Sequence, residues 1–199
     1  MLELIVNADD LGCGHQRDRG ICEAFREGIV TSASILANGP SFAEAAEQAR
    51  AIGLPTGIHL NLSEWTALGG PIAGLTDASG TFPGKAGLRQ VLNEGRVAPE
   101  ALQRELAAQI ERALAAGLRP DHLDTHQHCG LFPVVTDIVL ELAQRFGIKA
   151  VRNCLPAEPA GSDPAGALGE ELALYRRLAP EARASASRRC PSNSAPEDG

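Results

Sequence analysis

The chain has 199 residues, 44% of them hydrophobic and 22% charged, enough for one domain with a sizeable core. Its formal charge of −7 argues against a nucleic-acid binder or a basic membrane-surface protein, because both meet phosphate with positive charge. No apolar run approaches the roughly 20 residues needed to span a bilayer, and Met1 to Val6 runs into Asn7-Ala8-Asp9-Asp10 with neither a basic segment nor a cleavage site, so no signal peptide is expected.

Leu2-Glu3-Leu4-Ile5-Val6 reads as a buried strand, followed by a helix over Arg19 to Gly28 with Ile21, Cys22 and Phe25 on one face and a Gly stop. Ser32 to Ala37 reads as a second strand. Ser41-Phe42-Ala43-Glu44 has the spacing of a capping box, opening a helix that ends at Gly53. Gly57 to Leu62 is a third strand. The Gly/Pro-rich stretch from Ser63 to Gly84 is too long for an ordinary connection, and loops of that length are functional or disordered. Pro99 to Ala116 is the clearest helix, with Leu102, Leu106, Ile110 and Leu114 every fourth residue. His122 to Thr125 is a short strand, Val134 to Phe146 a helix, and Ile148 to Arg152 a closing strand. From Pro156 onward the composition shifts to Ala, Pro, Ser and Gly. A short helix over about Leu168 to Leu178 is expected there, with disorder from Ser185 to the end. The domain reading is therefore a folded unit over 1–155 and a low-complexity tail over 156–199.

Strands alternating with helices predict parallel strands, right-handed crossovers and an α/β fold, either an open sheet or an incomplete barrel. Ligands collect at the C-terminal strand ends of both. The polar residues that do not suit a core fall at those ends: Asp9 and Asp10 after the first strand, His59 and Asn61 in the third, and Asp124, His126 and His128 around the fourth. Alternation along a strand would put the His126 and His128 rings on one side. Asp plus two His is a recurring hydrolytic metal set, suited to Zn²⁺, Mn²⁺, Co²⁺ or Ni²⁺, with Mg²⁺ less favoured by imidazole. His15 and His122 read as structural. The five cysteines are odd in number and widely spaced with no CxxC, which speaks against disulfides or a thiolate zinc site and for a reducing cytoplasm. The arginines are scattered and read as coding bias. A two-metal phosphoesterase would need more carboxylates and histidines and a basic cluster beside them, which this sequence lacks.

Leu4-Ile5-Val6-Asn7-Ala8-Asp9-Asp10-Leu11-Gly12 resembles the opening of the YdjC-type carbohydrate deacetylases. Arg19-Gly20-Ile21, Gly28 to Ser34 and Asn38-Gly39-Pro40 follow at that family's spacing. Gly57-Ile58-His59-Leu60-Asn61-Leu62 and His122-Leu123-Asp124-Thr125-His126-Gln127-His128 resemble its two histidine motifs. The resemblance runs from about Leu2 to Arg152. It implies a deformed, incomplete (β/α) barrel of the polysaccharide-deacetylase type. It also implies a metal-dependent hydrolase that removes acetyl groups from N-acetylated sugars, either chito-oligosaccharides or, as in hopanoid-associated relatives, a glycolipid precursor. By position, Asp10, His59 and His126 correspond to the metal ligands and Asp9 to the general base. Asp124 would stand behind the ligands, and His128 would line the pocket or assist the leaving group. The implied cofactor is one divalent ion, magnesium or zinc first, cobalt or manganese next. The implied partner is a small carbohydrate. Leu11 stands where the family has Phe, and Cys129-Gly130 where it has a Val-His pair. The part of the family pattern beyond Arg152 is missing, so a shortened barrel with an open edge is expected. A homodimer would cover that edge, and a catalytically weak metal- or sugar-binding remnant is the competing reading.

Overall fold

The computed structural model describes residues 4–152, 172–178 and 180. Five strands form one parallel sheet in the order β1-β2-β3-β4-β5: β1 (Asn7–Leu11), β2 (Ser32–Ile35), β3 (Thr56–Leu60), β4 (His122–Thr125) and β5 (Ala150–Val151). Each strand therefore lies beside the next one in sequence. That is the order of a (β/α) barrel wall, whereas a doubly wound sheet reverses direction at a switch point. Among the described residues the wall is incomplete, and all five C-terminal strand ends share one rim.

Among the residues described up to 152, five α-helices connect or flank the strands: α1 (His15–Glu27), α2 (Phe42–Ile52), α3 (Gly84–Glu94), α4 (Pro99–Ala115) and α5 (Pro133–Phe146). The core between sheet and helices is aliphatic, with Leu11, Ile35, Ile58, Leu60, Leu106, Ile110, Leu123 and Leu142 fully buried. Gly53 and Gly147 end α2 and α5 in the left-handed conformation, where the missing Cβ removes the steric penalty.

Several expectations are corrected. The first strand begins at Asn7, and Leu4 and Ile5 are 81% and 76% exposed. Val6 still accepts backbone bonds from Thr31 and Ser32, but no described layer covers the side chains before it. The capping box does not form: Ser41 gives its hydroxyl to the buried Asp18 carboxylate, and Glu44 pairs with His15 at 2.8 Å. Asp18 also accepts from the Gly12 amide, so this carboxylate ties α1, α2 and the end of β1 together. Leu114 is 41% exposed while Ala113 is buried, because a strict period of four drifts off a 3.6-residue helix. Helix α3 has no counterpart among the expected elements; Gly84, Gly87 and Gly95 obscure a short amphipathic run in which Leu88 and Val91 are buried.

The 63–83 connection is ordered. Thr66 and Thr81 form an antiparallel bridge, and Ala67, Ile72, Leu75 and Phe82 are buried. Residues 172–178 are helical, with Tyr175 and Leu178 buried. The rest of the helix expected from Leu168, and the expected disorder from Ser185, lie outside the described residues. No helix among the described residues is long and apolar enough to cross a membrane.

Candidate metal centre

The pairing of β1 with β2 carries one extra residue. Ala8 faces Ala33 and Leu11 faces Ile35, so Asp9 and Asp10 together stand against Ser34 alone. This is a β-bulge, a device that re-aims side chains at a sheet rim. Asp10 absorbs the irregularity with φ 67°, in the left-handed region that Asp tolerates better than most residues. Its carboxylate turns toward the two imidazoles. Oδ1 lies 2.9 Å from His126 Nδ1 and 3.3 Å from His59 Nε2, while Oδ2 accepts from Arg17.

His59 is buried on β3, with its Nδ1 2.6 Å from Asp124 Oδ1. That bond occupies one ring nitrogen and leaves Nε2 facing Asp10, the carboxylate–histidine arrangement that orients metal ligands. His126 follows β4 directly. Its ring meets His59 edge-on at 5.2 Å between centroids, and the Trp65 indole stacks on it at 6.4 Å. Its Nε2 lies 3.5 Å from Glu64, whose other oxygen accepts from Gln127 at 2.9 Å.

Asp10, His59 and His126 can each present a ligand atom such that all three lie within 4.8 Å of one another. Asp10 Oδ1 and His126 Nε2 are buried with no aligned hydrogen-bond partner among the described residues. Buried polar atoms of this kind normally find a partner. A shared dication would satisfy the Asp10 oxygen, and one carboxylate with two imidazoles is a donor set that such ions accept. The residues present therefore fit a divalent metal.

The electrostatics of the metal-free cluster follow from the same contacts. The close approach of the His126 imidazole first, and of His59 next, holds the Asp10 carboxyl far below the usual carboxylate range. Burial works against a charge on His59, yet Asp10 and Asp124 outweigh it and raise the imidazole to about 9. Burial pushes Asp124 up, but its bonds to His59 and Ser34 bring it below its ordinary value. Cys13, Cys22 and Cys129 are thiols, and burial pushes the first two up, away from reactivity.

Asp9 points to a different set of partners. Its Oδ1 accepts from Arg152 at 2.7 Å and from Asn7 at 2.8 Å, and it stays about one-third exposed. Arg152 also reaches Asp124 Oδ2 at 3.2 Å, so one guanidinium joins the two carboxylates. Asp124 is thus held by His59, Ser34 and Arg152 together.

Two expectations fail here. His126, Gln127 and His128 do not continue the strand; they open a 3-10 turn, His126–Leu131, with Gln127 and His128 at φ 53° and 57°. The turn sends the His128 ring away to meet Tyr175 edge-on at 5.4 Å, outside the three-residue cluster. Asn61 also faces elsewhere, bonding Asn38, Gln109 and the start of the long connection.

Arg152, Ser34, Glu64, Trp65 and Arg17 were not anticipated. Arg152 follows the last strand, so the strand-end rule that picked out Asp9 and His126 applied to it equally.

A family model described as YdjC-like protein matches residues 3–195. The chain is 42% identical over 161 residues to a carbohydrate deacetylase of Mus musculus, covering 79% of this chain and 51% of that protein. It is 39% identical over 150 residues to a chitooligosaccharide deacetylase of Escherichia fergusonii, covering 73% and 57%. The chain thus spans about half the length of the curated relatives it matches. Among solved structures, a putative cellobiose-phosphate cleavage protein of Enterococcus faecalis superimposes with a TM-score of 0.65 at 30% identity, covering 87% of this chain and 64% of that one. A lactam utilization protein of Thermus thermophilus, at 19% identity and a TM-score of 0.50, shares the fold.

Proposed function

The chain belongs to the YdjC-like protein family, and from that premise we propose that it is a metal-dependent hydrolase removing acetyl groups from N-acetylated carbohydrates. The substrate class is a chito-oligosaccharide or a glycolipid precursor. The observation that carries the reading is the meeting of Asp10 on β1, His59 on β3 and His126 in the turn after β4, at one rim of the sheet. Several relatives of known name are deacetylases of carbohydrates.

Asp10, His59 and His126 would hold the divalent ion, which when bound would supply a Lewis acid for water and for the amide carbonyl. Two imidazoles in the set favour zinc, cobalt or manganese over magnesium. The protein's own groups do the rest. Asp124 fixes the His59 ring so that Nε2 faces the cluster. Arg17 occupies the outer oxygen of Asp10 and leaves Oδ1 for the shared site. Asp9 is next to Asp10 in sequence yet outside the ligand set, and its carboxylate stays accessible to solvent. In this reading it accepts the proton from water as the oxygen adds to the acetyl carbon and passes that proton to the nitrogen as the carbon–nitrogen bond breaks, giving acetate and a free amine. Arg152 anchors Asp9 while it does so. The half-exposed indole of Trp65, beside His126, offers an apolar face to the sugar ring.

The test is acetate release from chito-oligosaccharides by the metal-loaded chain, with bound metal measured in parallel. Asp9→Asn should keep the metal and lose about 10²–10⁴-fold in kcat. Metal uptake with no acetate from any N-acetylated sugar would replace this reading with a binding role. Full activity in Asp9→Asn would move the base elsewhere.

A further inference from the structure

The metal ligands sit at one rim of the sheet, but one of them is connected through the sheet to a histidine near the opposite end of β4. His122 opens that strand, across from Gly57 on β3. A Cβ at residue 57 would fall 2.3 Å from the His122 ring atoms, so the glycine is the seat on which the imidazole lies. From there His122 Nε2 reaches Ser34 Oγ on β2 at 3.1 Å, while Nδ1 is 2.6 Å from the Asp121 carboxylate. Ser34 is fully buried and gives its hydroxyl hydrogen to Asp124 Oδ2 at 2.7 Å. Asp124 Oδ1 then meets His59 Nδ1 at 2.6 Å.

The hydroxyl arithmetic decides what His122 does. A serine hydroxyl has one hydrogen and two acceptor positions. Asn7 Nδ2 donates into one of them at 2.8 Å. With the hydrogen committed to Asp124, the contact with His122 can only be Nε2–H donating into the second. Both lone pairs are then filled, and the hydroxyl has no direction left except toward Asp124. Four neighbouring strands contribute to this arrangement, through Asn7, Ser34, His59 with Gly57, and Asp124 with His122.

We infer that His122 is a positioning residue for the metal centre: through Ser34 it locks the Asp124 carboxylate, and so the ring orientation and tautomer of His59. The inference rests on the metal-site reading given above, and it assigns a task to a residue that touches neither metal ligand nor substrate.

Zinc and cobalt affinities of the full chain test it, with the Co²⁺ visible spectrum as a readout of ligand orientation. His122→Leu and Ser34→Ala should each weaken binding by about tenfold, the low end for partners behind a ligand, and should alter the cobalt bands. The double variant should bind no worse than the weaker single one, because both act through one hydroxyl. His122→Gln, whose amide can still donate toward Ser34, should recover affinity to within about threefold. Wild-type affinity in a folded His122→Leu chain, or full additivity in the double variant, overturns the inference while leaving the metal site standing. Should His122→Leu fail to fold, Ser34→Ala decides by the same criterion. If the wild-type chain takes up neither ion, the functional reading itself falls, and this inference falls with it.

Discussion

Two polar clusters flank the end of β3, and only one of them satisfies its own polar atoms. On one side, Glu105 accepts from the amides of Leu68 and Gly69 at 3.1 and 2.9 Å and from Gln109 at 2.8 Å. Gln109 in turn exchanges two bonds with the backbone of Asn61. The Asn61 side chain binds Asn38, Ser63 and Glu64. That cluster is complete within the protein, and its product is the shape of the 63–83 connection. On the other side, Asp10, His59 and His126 crowd together with a carboxylate oxygen and a ring nitrogen left unaligned. Both centre on a carboxylate, with amides around it in one and imidazoles in the other. What separates a structural network from a ligand site is whether the polar atoms are already spent on one another.

The sharpest way to break this contrast is Asp10→Ala. It removes the only oxygen of the ligand set, so zinc in the purified protein, measured by elemental analysis, should fall to the buffer level and activity with it. The fold should survive, since Asp10 sits at a sheet rim. Retention of stoichiometric zinc would mean that the unaligned atoms are not a ligand site. The mirror experiment is Glu105→Ala. It strands two amides and the Gln109 side chain, and should cost about 2–3 kcal/mol in denaturant unfolding, while zinc content stays at the wild-type level. A loss of zinc there would show that the two clusters are one.

A smaller effect comes from pH. The imidazole of His59 is raised from 6.5 to about 9 in the metal-free fold. Its charge therefore contributes stability that is complete below pH 6.5 and is lost as pH rises through about 9. An ion on the same nitrogen competes with that proton. Thermal melts between pH 6.5 and 9 should show the metal-free Tm falling and the stabilisation by zinc widening, with affinity gaining at most about tenfold per pH unit from this one group. A zinc-induced shift that stays flat across that window would count against His59 as a ligand.

Much of this was legible in the residues. Strand–helix alternation predicted the parallel sheet, and the strand-end rule gathered seven polar residues, among which the family resemblance singled out Asp10, His59 and His126, 116 positions apart from first to last. The failures have specific causes. Leu4 and Ile5 have strand composition, but a strand also needs partners and cover, and pairing starts only at Asn7. His126-Gln127-His128 alternates like a strand, yet the left-handed turn at Gln127 and His128 is a tertiary outcome that no alternation records. The Ser41–Glu44 spacing suits a cap, but Asp18 competes for the hydroxyl from 23 residues away. Arg152 was hidden among many other arginines, and only its place at the end of β5 distinguishes it. Trp65 and Glu64 reach His126 through the folded connection, a contact that depends on the conformation of the whole loop.

The twisted backbone at residue 10 narrows the chemistry that position can hold. At φ 67°, the torsion is tolerated chiefly by glycine, asparagine and aspartate. Holding a dication calls for an anionic or imidazole donor. Histidine also tolerates that torsion, as His128 does at φ 57°, so aspartate is the one residue that joins the torsion to a carboxylate donor. Asparagine would preserve the geometry without the charge, and glutamate the charge without the geometry, so neither conservative replacement leaves this corner of the barrel intact.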